Sequence, residues 1–487
     1  MMKDTAKKCW QVFLIVVLVV TLGVPFFGCQ APKAEEVVAT EEEVATTEEV
    51  ATTEVARPAW LKRWDGVTIV VSAHQGPFTD AQKKLTPEFE KMTGAKVQII
   101  DESWTDLLAK HLAAAAAHTG AYDIVTWPYI WIGHYVEGDM IEDLNVWFAK
   151  EDLVDPNYGM DDFVPAALEA YGRYKSGFYK DPNALWGVPL KFDIYLAQYR
   201  VDLFKEAGIV DAQGNAKPPE TYGELLEDAK ILAEKFPDIK PVALPLGVDD
   251  PICATFLPIF ASYGGKLPNP WYDENMYPLF DGPEAVAAIN AVKDLLPYMP
   301  TDVLDFDYDK TITSIAEGTV AYSMNWNAFL PTLLDPTKSK VVDTVAFDLT
   351  PGGPAGRPQG LGGWVMGISK DSKNKEAAFQ YLQWSTGKDM AVEFALEGAS
   401  IARYSVGQDP QVIEAFPYYP ILLEALKSLA IRGNDRSWAE VQRTIGVGLS
   451  KVLLGGDPET TLKATAGQVF DQLQKAGYQP EKTGPRP

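Results

Sequence analysis

The chain has 487 residues, 47% of them apolar and 11% aromatic, and a formal net charge of -24. This length and composition predict two domains, each with its own core, and exclude a chain that is disordered throughout. The negative charge argues against a nucleic-acid partner, because such a partner usually requires a basic protein face.

The N-terminal region has the pattern of an export signal. Three lysines precede an apolar run at 12–27, which is typical of a secretory signal peptide. The run ends in Phe26-Phe27-Gly28-Cys29, which resembles a bacterial lipobox, with Phe26 where leucine is usual. We therefore expect residues 1–28 to be removed and Cys29 to be lipidated. An uncleaved membrane anchor is the alternative, because the run approaches the length of a spanning helix.

An acidic, low-complexity stretch follows. Residues 31–56 consist mostly of Glu, Val, Ala and Thr, and the sequence EVATTE occurs at 43–48 and again at 49–54. Repulsion between the glutamates favours an extended tether, predicted over 29–61, although a helical stalk is the alternative.

Besides Cys9 and Cys29, the chain has one cysteine, Cys253, so no disulfide is expected in the body.

The body alternates strand-like and helix-like segments, which predicts an α/β fold. A helix is expected to begin at Thr86-Pro87 and to end at Gly94, and another is expected over 104–118. Thr221 and Glu224 have the spacing of a helix capping box. Strands are predicted at 67–73, 96–101, 122–127, 241–246, 319–326, 341–350 and 363–369.

Five stretches of the body, in order, resemble a known family. They are FEKMTGAKVQI (89–99), YDIVTWPYIWIGHYVEGDMIEDL (122–144), LWGVPLKFDIYLAQYRVDLFKEAGI (185–209) with PPETYGELLEDA (218–229), EGTVAYSMNW (317–326) and GLGGWVMGISKDSKNKEAAFQYLQW (360–384). Together they are similar to the extracellular solute-binding proteins of ABC importers, which include the maltodextrin and multiple-sugar binding proteins.

The resemblance implies a periplasmic-binding-protein-like type II fold, in which two α/β lobes are joined by a multi-strand hinge and the ligand lies between them. We expect an N-terminal lobe of 62–192 plus 325–360 and a C-terminal lobe of 195–322 plus 362–487. The implied function is capture of a saccharide or polyol by lobe closure and its delivery to a membrane permease. The protein is then expected to be an exported, lipid-anchored monomer without a cofactor or enzymatic activity, on the outer face of the cell membrane or in the periplasm.

Residues just after strands are the expected ligand contacts, because open α/β sheets bind ligands at the carboxyl ends of their strands. Aromatic faces suit the C–H face of a pyranose, and a hinge carboxylate suits its hydroxyls. The positions and the resemblance together imply contacts at His74, Gln75, Trp127, Trp131, Asp193, Tyr263, Trp326, Gly363, Trp364 and Arg403, with Tyr195 and Trp438 as weaker candidates.

Each candidate has a structural alternative. His74 and Gln75 could cap the next helix, and Trp127 and Trp131 could pack in the core. The Gly362-Gly363 pair could be a tight turn, and Asp193 a solvated hinge carboxylate.

Other chemistries find less support in the sequence. The four histidines lack the one-turn spacing of metal ligands, and no HExxH, CxxC or GxSxG motif is present. A carbohydrate-active hydrolase stays open as an alternative, because its two carboxylates can come from anywhere in the chain. A charged ligand such as glycerol phosphate or a polyamine is the other alternative.

Overall fold

The computed structural model describes residues 57–175, 181 and 183–481, so the predicted signal peptide, Cys29 and nearly all of the predicted tether lie outside the described residues. The strands within these ranges are β1 Thr68–His74, β2 Lys96–Glu102, β3 Ile124–Pro128, β4 Val188–Arg200, β5 Lys240–Ala243, β6 Val320–Trp326, β7 Val345–Leu349, β8 Gln359–Ile368 and β9 Leu429–Ala430.

The helices alternate with these strands through the first two thirds of the chain and then dominate. The α-helices of the described ranges are α1 Pro77–Thr93, α2 Trp104–Ala116, α3 Ile132–Glu137, α4 Asn145–Phe148, α5 Pro165–Gly172, α6 Val201–Ala207, α7 Tyr222–Lys235, α8 Asp250–Ser262, α9 Pro283–Leu295, α10 Tyr308–Ala316, α11 Pro331–Leu334, α12 Lys375–Thr386, α13 Lys388–Leu396, α14 Tyr404–Gly407, α15 Pro410–Ala415, α16 Tyr419–Ala425, α17 Trp438–Leu453 and α18 Pro458–Lys475. Short 3₁₀ helices occur at Tyr129–Trp131, Met160–Asp162, Leu296–Tyr298, Val303–Asp305 and Asn327–Phe329.

The described strands form one mixed sheet in the order β2-β1-β3-β8-β4-β6-β5, with β7 also paired to β4 and β9 to β8. Strand β4 is long enough to take part in both lobes. Its first part, 188–194, pairs with β8, and its second part, from Tyr195, pairs with β6 and β7. The first lobe is thus built on β2, β1, β3 and β8, and the second on β6, β5 and β7, which confirms the predicted α/β fold class.

The predicted exchange of segments between the lobes is wrong in two places. Residues 345–349, expected in the N-terminal lobe, pair with the second part of β4. Residues 364–368, expected in the C-terminal lobe, pair with β3, and helices α12 and α13 pack beside α1. The sequence does not reveal which sheet a central apolar strand joins, because that depends on pairing with distant segments.

Local signals fixed several helix ends. Gly94 ends α1 in the left-handed conformation at φ 76°, as predicted, because glycine adopts it without a steric penalty. The predicted start at Thr86 is wrong: α1 already begins at Pro77, and Pro87 lies inside it. The capping box before α7 is present, since the Thr221 side chain accepts a hydrogen bond from the backbone N–H of Glu224.

Candidate functional site

Four rings form an aromatic cluster, here called the Trp364 cluster, where β1, β2 and β3 end. The His74 ring stacks on Trp364, with 4.5 Å between ring centres, and the ring of Trp104 lies 4.6 Å from that of Trp131. Trp104 also meets Trp364 edge-on at 5.9 Å. Trp104 is 37% exposed, so the cluster opens to solvent at this ring. Such a surface suits stacking of a flat apolar ligand face.

Two charged side chains lie beside the cluster because of the strand register. Lys191 and Asp193 alternate with Phe192 on β4 and therefore lie on one face, opposite Trp364 and Gly362 of β8. The Lys191 ammonium is 5.1 Å from the centre of the Trp364 ring and 3.7 Å from the Asp193 carboxylate. Burial raises the pKa of Asp193, against the opposing influence of Lys191.

A buried arginine completes the polar part of the site. The Arg432 guanidinium pairs with Asp250 and lies 5.4 Å from the ring centre of Trp326. Its backbone N–H donates to the hydroxyl of Tyr129, 2.8 Å away. Burial disfavours the charged guanidinium, but Asp250 and Tyr129 outweigh this effect and raise the pKa of Arg432. Arg432 therefore keeps its charge inside the protein.

Asp250 is held by the start of α8. It accepts a hydrogen bond from the Tyr308 hydroxyl, and the residue before it, Asp249, has φ 98°. Positive φ is unusual for a residue other than glycine, and strain of this kind clusters at functional sites. The strained turn presents Asp250 to Arg432.

Two polar atoms of this region are buried and have no hydrogen-bond partner among the described residues: Oδ1 of Asp193 and Nε of Arg432. Leaving such atoms unpaired is costly, so they mark positions where a polar ligand would be favoured. One is an acceptor and the other a donor, which matches the dual hydrogen bonding of hydroxyl groups.

The two adjacent glycines of β8 have structural roles. A Cβ at Gly362 would lie 2.8 Å from the ring of Trp326, so only glycine lets that indole pack against the strand. Gly363 has φ 132°, and a Cβ there would meet the Tyr171 hydroxyl and lie 2.6 Å from the Lys191 carbonyl oxygen. The space into which a side chain at position 363 would project is thus filled by the protein, and contact of the Gly363 backbone with ligand stays a prediction.

Two further predictions are wrong. Trp127 is fully buried and stacks on Tyr135 with 4.5 Å between ring centres, so it belongs to the core rather than to a cleft. Arg403 is also buried: its Nε donates to Thr386 O at 2.9 Å and its Nη1 to Gly159 O at 2.7 Å. A guanidinium satisfied in this way holds chain segments together.

Some of the other candidates lie at the site, and some have structural contacts. His74, Trp131, Asp193, Trp326 and Trp364 lie in or beside the site, and their contact with ligand stays a prediction. Gln75, exposed next to His74, stays a candidate as well, while Gly76 rather than either residue occupies the N-cap of α1.

Tyr263 and the two weaker candidates have contacts within the protein. Tyr263 ends α8 and has its ring contact with Tyr222, at 6.3 Å. Tyr195 is buried beside the site: its ring meets that of Trp326 edge-on at 4.8 Å, and its hydroxyl is 2.7 Å from that of Thr255. Trp438 is buried with its N–H donating to Gln442.

The sequence interpretation missed Trp104 and Arg432 as site residues. Trp104 follows directly after β2 and begins α2, so the rule that ligands bind after strands could have identified it. Arg432 follows β9, a strand of two residues, which is too short to show a pattern in the sequence. Only the fold reveals that position.

Two of the remaining histidines, His111 and His118, have partners within the protein. His111 lies inside the first lobe between the hydroxyls of Tyr135 and Ser72, each 2.7 Å away, and burial lowers its pKa to about 4. His118 lies near Asp371 at 3.1 Å. Within the described ranges, no group of three or more metal-ligating side chains is assembled. In the same ranges, we find no helix that combines the length and apolarity needed to cross a bilayer.

The fold and the site together define a two-lobed α/β binding protein. Residues 74–392 match the family of bacterial extracellular solute-binding proteins, and the chain belongs to that family. A Sinorhizobium fredii protein named "probable amino-acid ABC transporter periplasmic-binding protein" is 26% identical over 86% of this chain and 92% of its own length. The erythritol/L-threitol-binding protein of Mycolicibacterium smegmatis is 23% identical over 70% of this chain and 71% of its own.

Solved structures agree with this fold. An ABC transporter solute-binding protein from Agrobacterium radiobacter, in complex with ribitol, superposes with a TM-score of 0.73 at 26% identity, covering 84% of this chain and 99% of its own. A maltose-bound protein of T. maritima has a TM-score of 0.72 at 24% identity, covering 83% and 99%. These relatives are binding proteins rather than enzymes.

Proposed function

We propose that this chain is the ligand-capturing component of an ABC importer and that it binds a saccharide or polyol at the Trp364 cluster, between the two lobes. The observation that carries the proposal is the aromatic face beside two buried, unpartnered polar atoms, Asp193 Oδ1 and Arg432 Nε. A sugar has an apolar C–H face for the rings and hydroxyls for such donors and acceptors.

The charges of the site favour a neutral ligand. Lys191 and Arg432 each have a carboxylate partner, Asp193 and Asp250 respectively. The two cations and the two carboxylates balance, so neither a phosphate nor a polyamine would gain a net attraction to offset the cost of its desolvation. The erythritol/L-threitol-binding relative and the relative in complex with ribitol support the same class of ligand.

The first experiment is thermal unfolding of the full chain in a detergent that contains no sugar. The panel includes saccharides, polyols, amino acids, glycerol phosphates and polyamines. A ligand that binds only the native state stabilises it by about 2.7 kcal/mol at a hundred times Kd. Trp364→Ala should abolish the shift, whereas Trp127→Phe, in the core, should retain it. A shift only with amino acids or charged compounds would refute the sugar assignment, and release of sugar from a polysaccharide would favour the hydrolase alternative.

Lobe closure is the expected signal to the permease. A ligand held by both lobes favours the closed state through its differential affinity for the two states. We expect small-angle scattering to show a smaller radius of gyration with ligand than without it. The same radius in both states would contradict closure as the signal.

Lipid anchoring at Cys29 completes the proposal, with the acidic tether leaving the body free to search for ligand near the membrane. Cys29→Ser should release the protein from the membrane fraction into the soluble one. Retention of the variant in the membrane fraction would instead favour the uncleaved anchor.

A further inference from the structure

A cavity of about 490 Å³ adjoins the site at Arg432. Its lining comes from α5, from the loop 266–276 and from Leu361, Leu429 and Ile431. The volume is within the range of ~300–1,000 Å³ that is common for small-molecule pockets. Trp364, Lys191 and Asp193 do not line it, so the cavity is a neighbouring space that shares Arg432 with the site.

We infer that this cavity is a second subsite and that the ligand is an oligosaccharide, with one sugar unit at the Trp364 cluster and the next units beyond Arg432. The inference rests on the proposed function and specifies its ligand. Arg432 connects the two spaces, because its guanidinium lies 5.4 Å from the ring centre of Trp326 in the site and the residue also lines the cavity.

Two groups of charged side chains in the lining are already paired. On α5 and the residues after it, Arg173 and Lys175 each lie beside Glu169, the first at 3.7 Å. On the loop 266–276, Lys266 and Glu274 are 2.6 Å apart. Paired charges do not require a charged ligand, but they offer hydrogen bonds to hydroxyls.

Much of the remaining lining is apolar, and it includes Ala166 and Ala170 of α5 and Leu267 and Pro268 of the loop. Leu267 is 43% exposed, so its side chain is accessible to a ligand in the cavity. A largely apolar lining with paired charges suits the alternating C–H and hydroxyl faces of a sugar chain.

The test uses calorimetric titration of the full chain with ribitol, mannitol and the malto-, xylo- and cello-series from monomer to tetramer. In the series that binds, affinity should rise at least tenfold from the monomer to the trimer. Ala166→Phe, which fills the cavity, should remove that rise and leave monomer affinity within twofold. Ala287→Phe, at an exposed position of α9, is the matched control and should leave both affinities unchanged.

A second variant of the cavity keeps the test decisive if Ala166→Phe does not fold. Leu267→Ala, at an exposed position, should lower trimer affinity about threefold and leave the monomer unaffected. Equal affinity for monomer and trimer, binding of the polyols alone, or full trimer affinity in Ala166→Phe would overturn the second subsite while leaving the proposed function intact. Failure of every carbohydrate to bind would overturn both.

Discussion

Arg403 and Arg432 are both buried, but their surroundings differ. The Arg403 guanidinium donates to backbone carbonyls of Thr386 and Gly159 and covers the ring of Phe163 at 3.8 Å. The Arg432 guanidinium has its carboxylate partner but leaves Nε unpaired. Burial lowers the pKa of Arg403, whereas that of Arg432 is raised.

The comparison shows that burial of a charge does not identify its role. A cation whose donors are all used within the protein stabilises the fold, and a cation with a donor left over can bind something else. The sequence interpretation chose Arg403 because it could see the residue type but not the partners. The following predictions separate the two arginines by stability and by affinity.

The largest effect is expected from Arg403→Ala. The change removes several hydrogen bonds and leaves buried carbonyl oxygens without donors, so the free energy of unfolding should fall by about 3–5 kcal/mol. Urea denaturation measures this loss. Ligand affinity of the folded variant should stay within twofold of the parent, and a large loss of affinity in a stable variant would give Arg403 a direct role in binding.

Arg432→Met should act mainly on affinity. Truncating a buried charged donor at a binding site costs about 2–5 kcal/mol, so we expect at least a thirtyfold rise in Kd. The stability loss should be smaller than that of Arg403→Ala, because the Tyr308 hydroxyl still donates to Asp250. Calorimetric titration beside urea denaturation checks both values. Unchanged affinity would show that the unpaired Nε has no part in binding.

Segment 432–436 also joins the two lobes, at Gly133 of α3. The Gly133 N–H donates to Asn434 O at 3.0 Å, and a Cβ at Gly133 would lie 2.6 Å from the carbonyl carbon of Asp435. Arg436 lies 3.3 Å from Glu137 in the next helical turn. The first lobe therefore approaches this segment closely.

Gly133→Ala should weaken the contact between α3 and segment 432–436. Overpacking costs about 1–3 kcal/mol, so Kd should rise by about tenfold and the radius of gyration with ligand should increase. Gly223→Ala, where the Cβ would meet only the Thr221 hydroxyl at 3.8 Å, is the control and should leave both unchanged. Normal closure in Gly133→Ala would show that the contact is dispensable.

The last effect is a pH dependence of the free energy of unfolding. Burial, and for His74 also Lys191, lowers the pKa of His74 and His111 to about 4. Between about pH 6.5 and pH 4 the unfolded chain binds protons that the folded chain does not, so stability falls as the pH falls. Each histidine contributes up to about 1.4 kcal/mol per pH unit in that window. His111→Gln should flatten the dependence, and the same slope in the variant would refute this assignment.

The sequence indicates which residues lie near the end of a strand. It does not indicate how deeply each of their side chains is buried in the core. His74, Trp131, Asp193, Trp326 and Trp364 were identified because each follows or lies on a predicted strand or matches a motif of the family. Trp127 also lies on a predicted strand and matches a motif of the family. Its ring nevertheless lies in the core, since Gly187 and Gly367 leave room for it there. The side on which a ring packs depends on small residues far away in the chain.

The sequence by itself determined the family, the α/β fold class and the main helix and strand segments, because periodicity, capping and motifs are local properties. Only the tertiary structure decided which sheet β7 and β8 join, which arginine keeps a free donor and where the cavity beyond Arg432 lies. Those features arise from contacts between residues that are distant in sequence, and their free energies depend on burial and on complete hydrogen bonding, which no local pattern records.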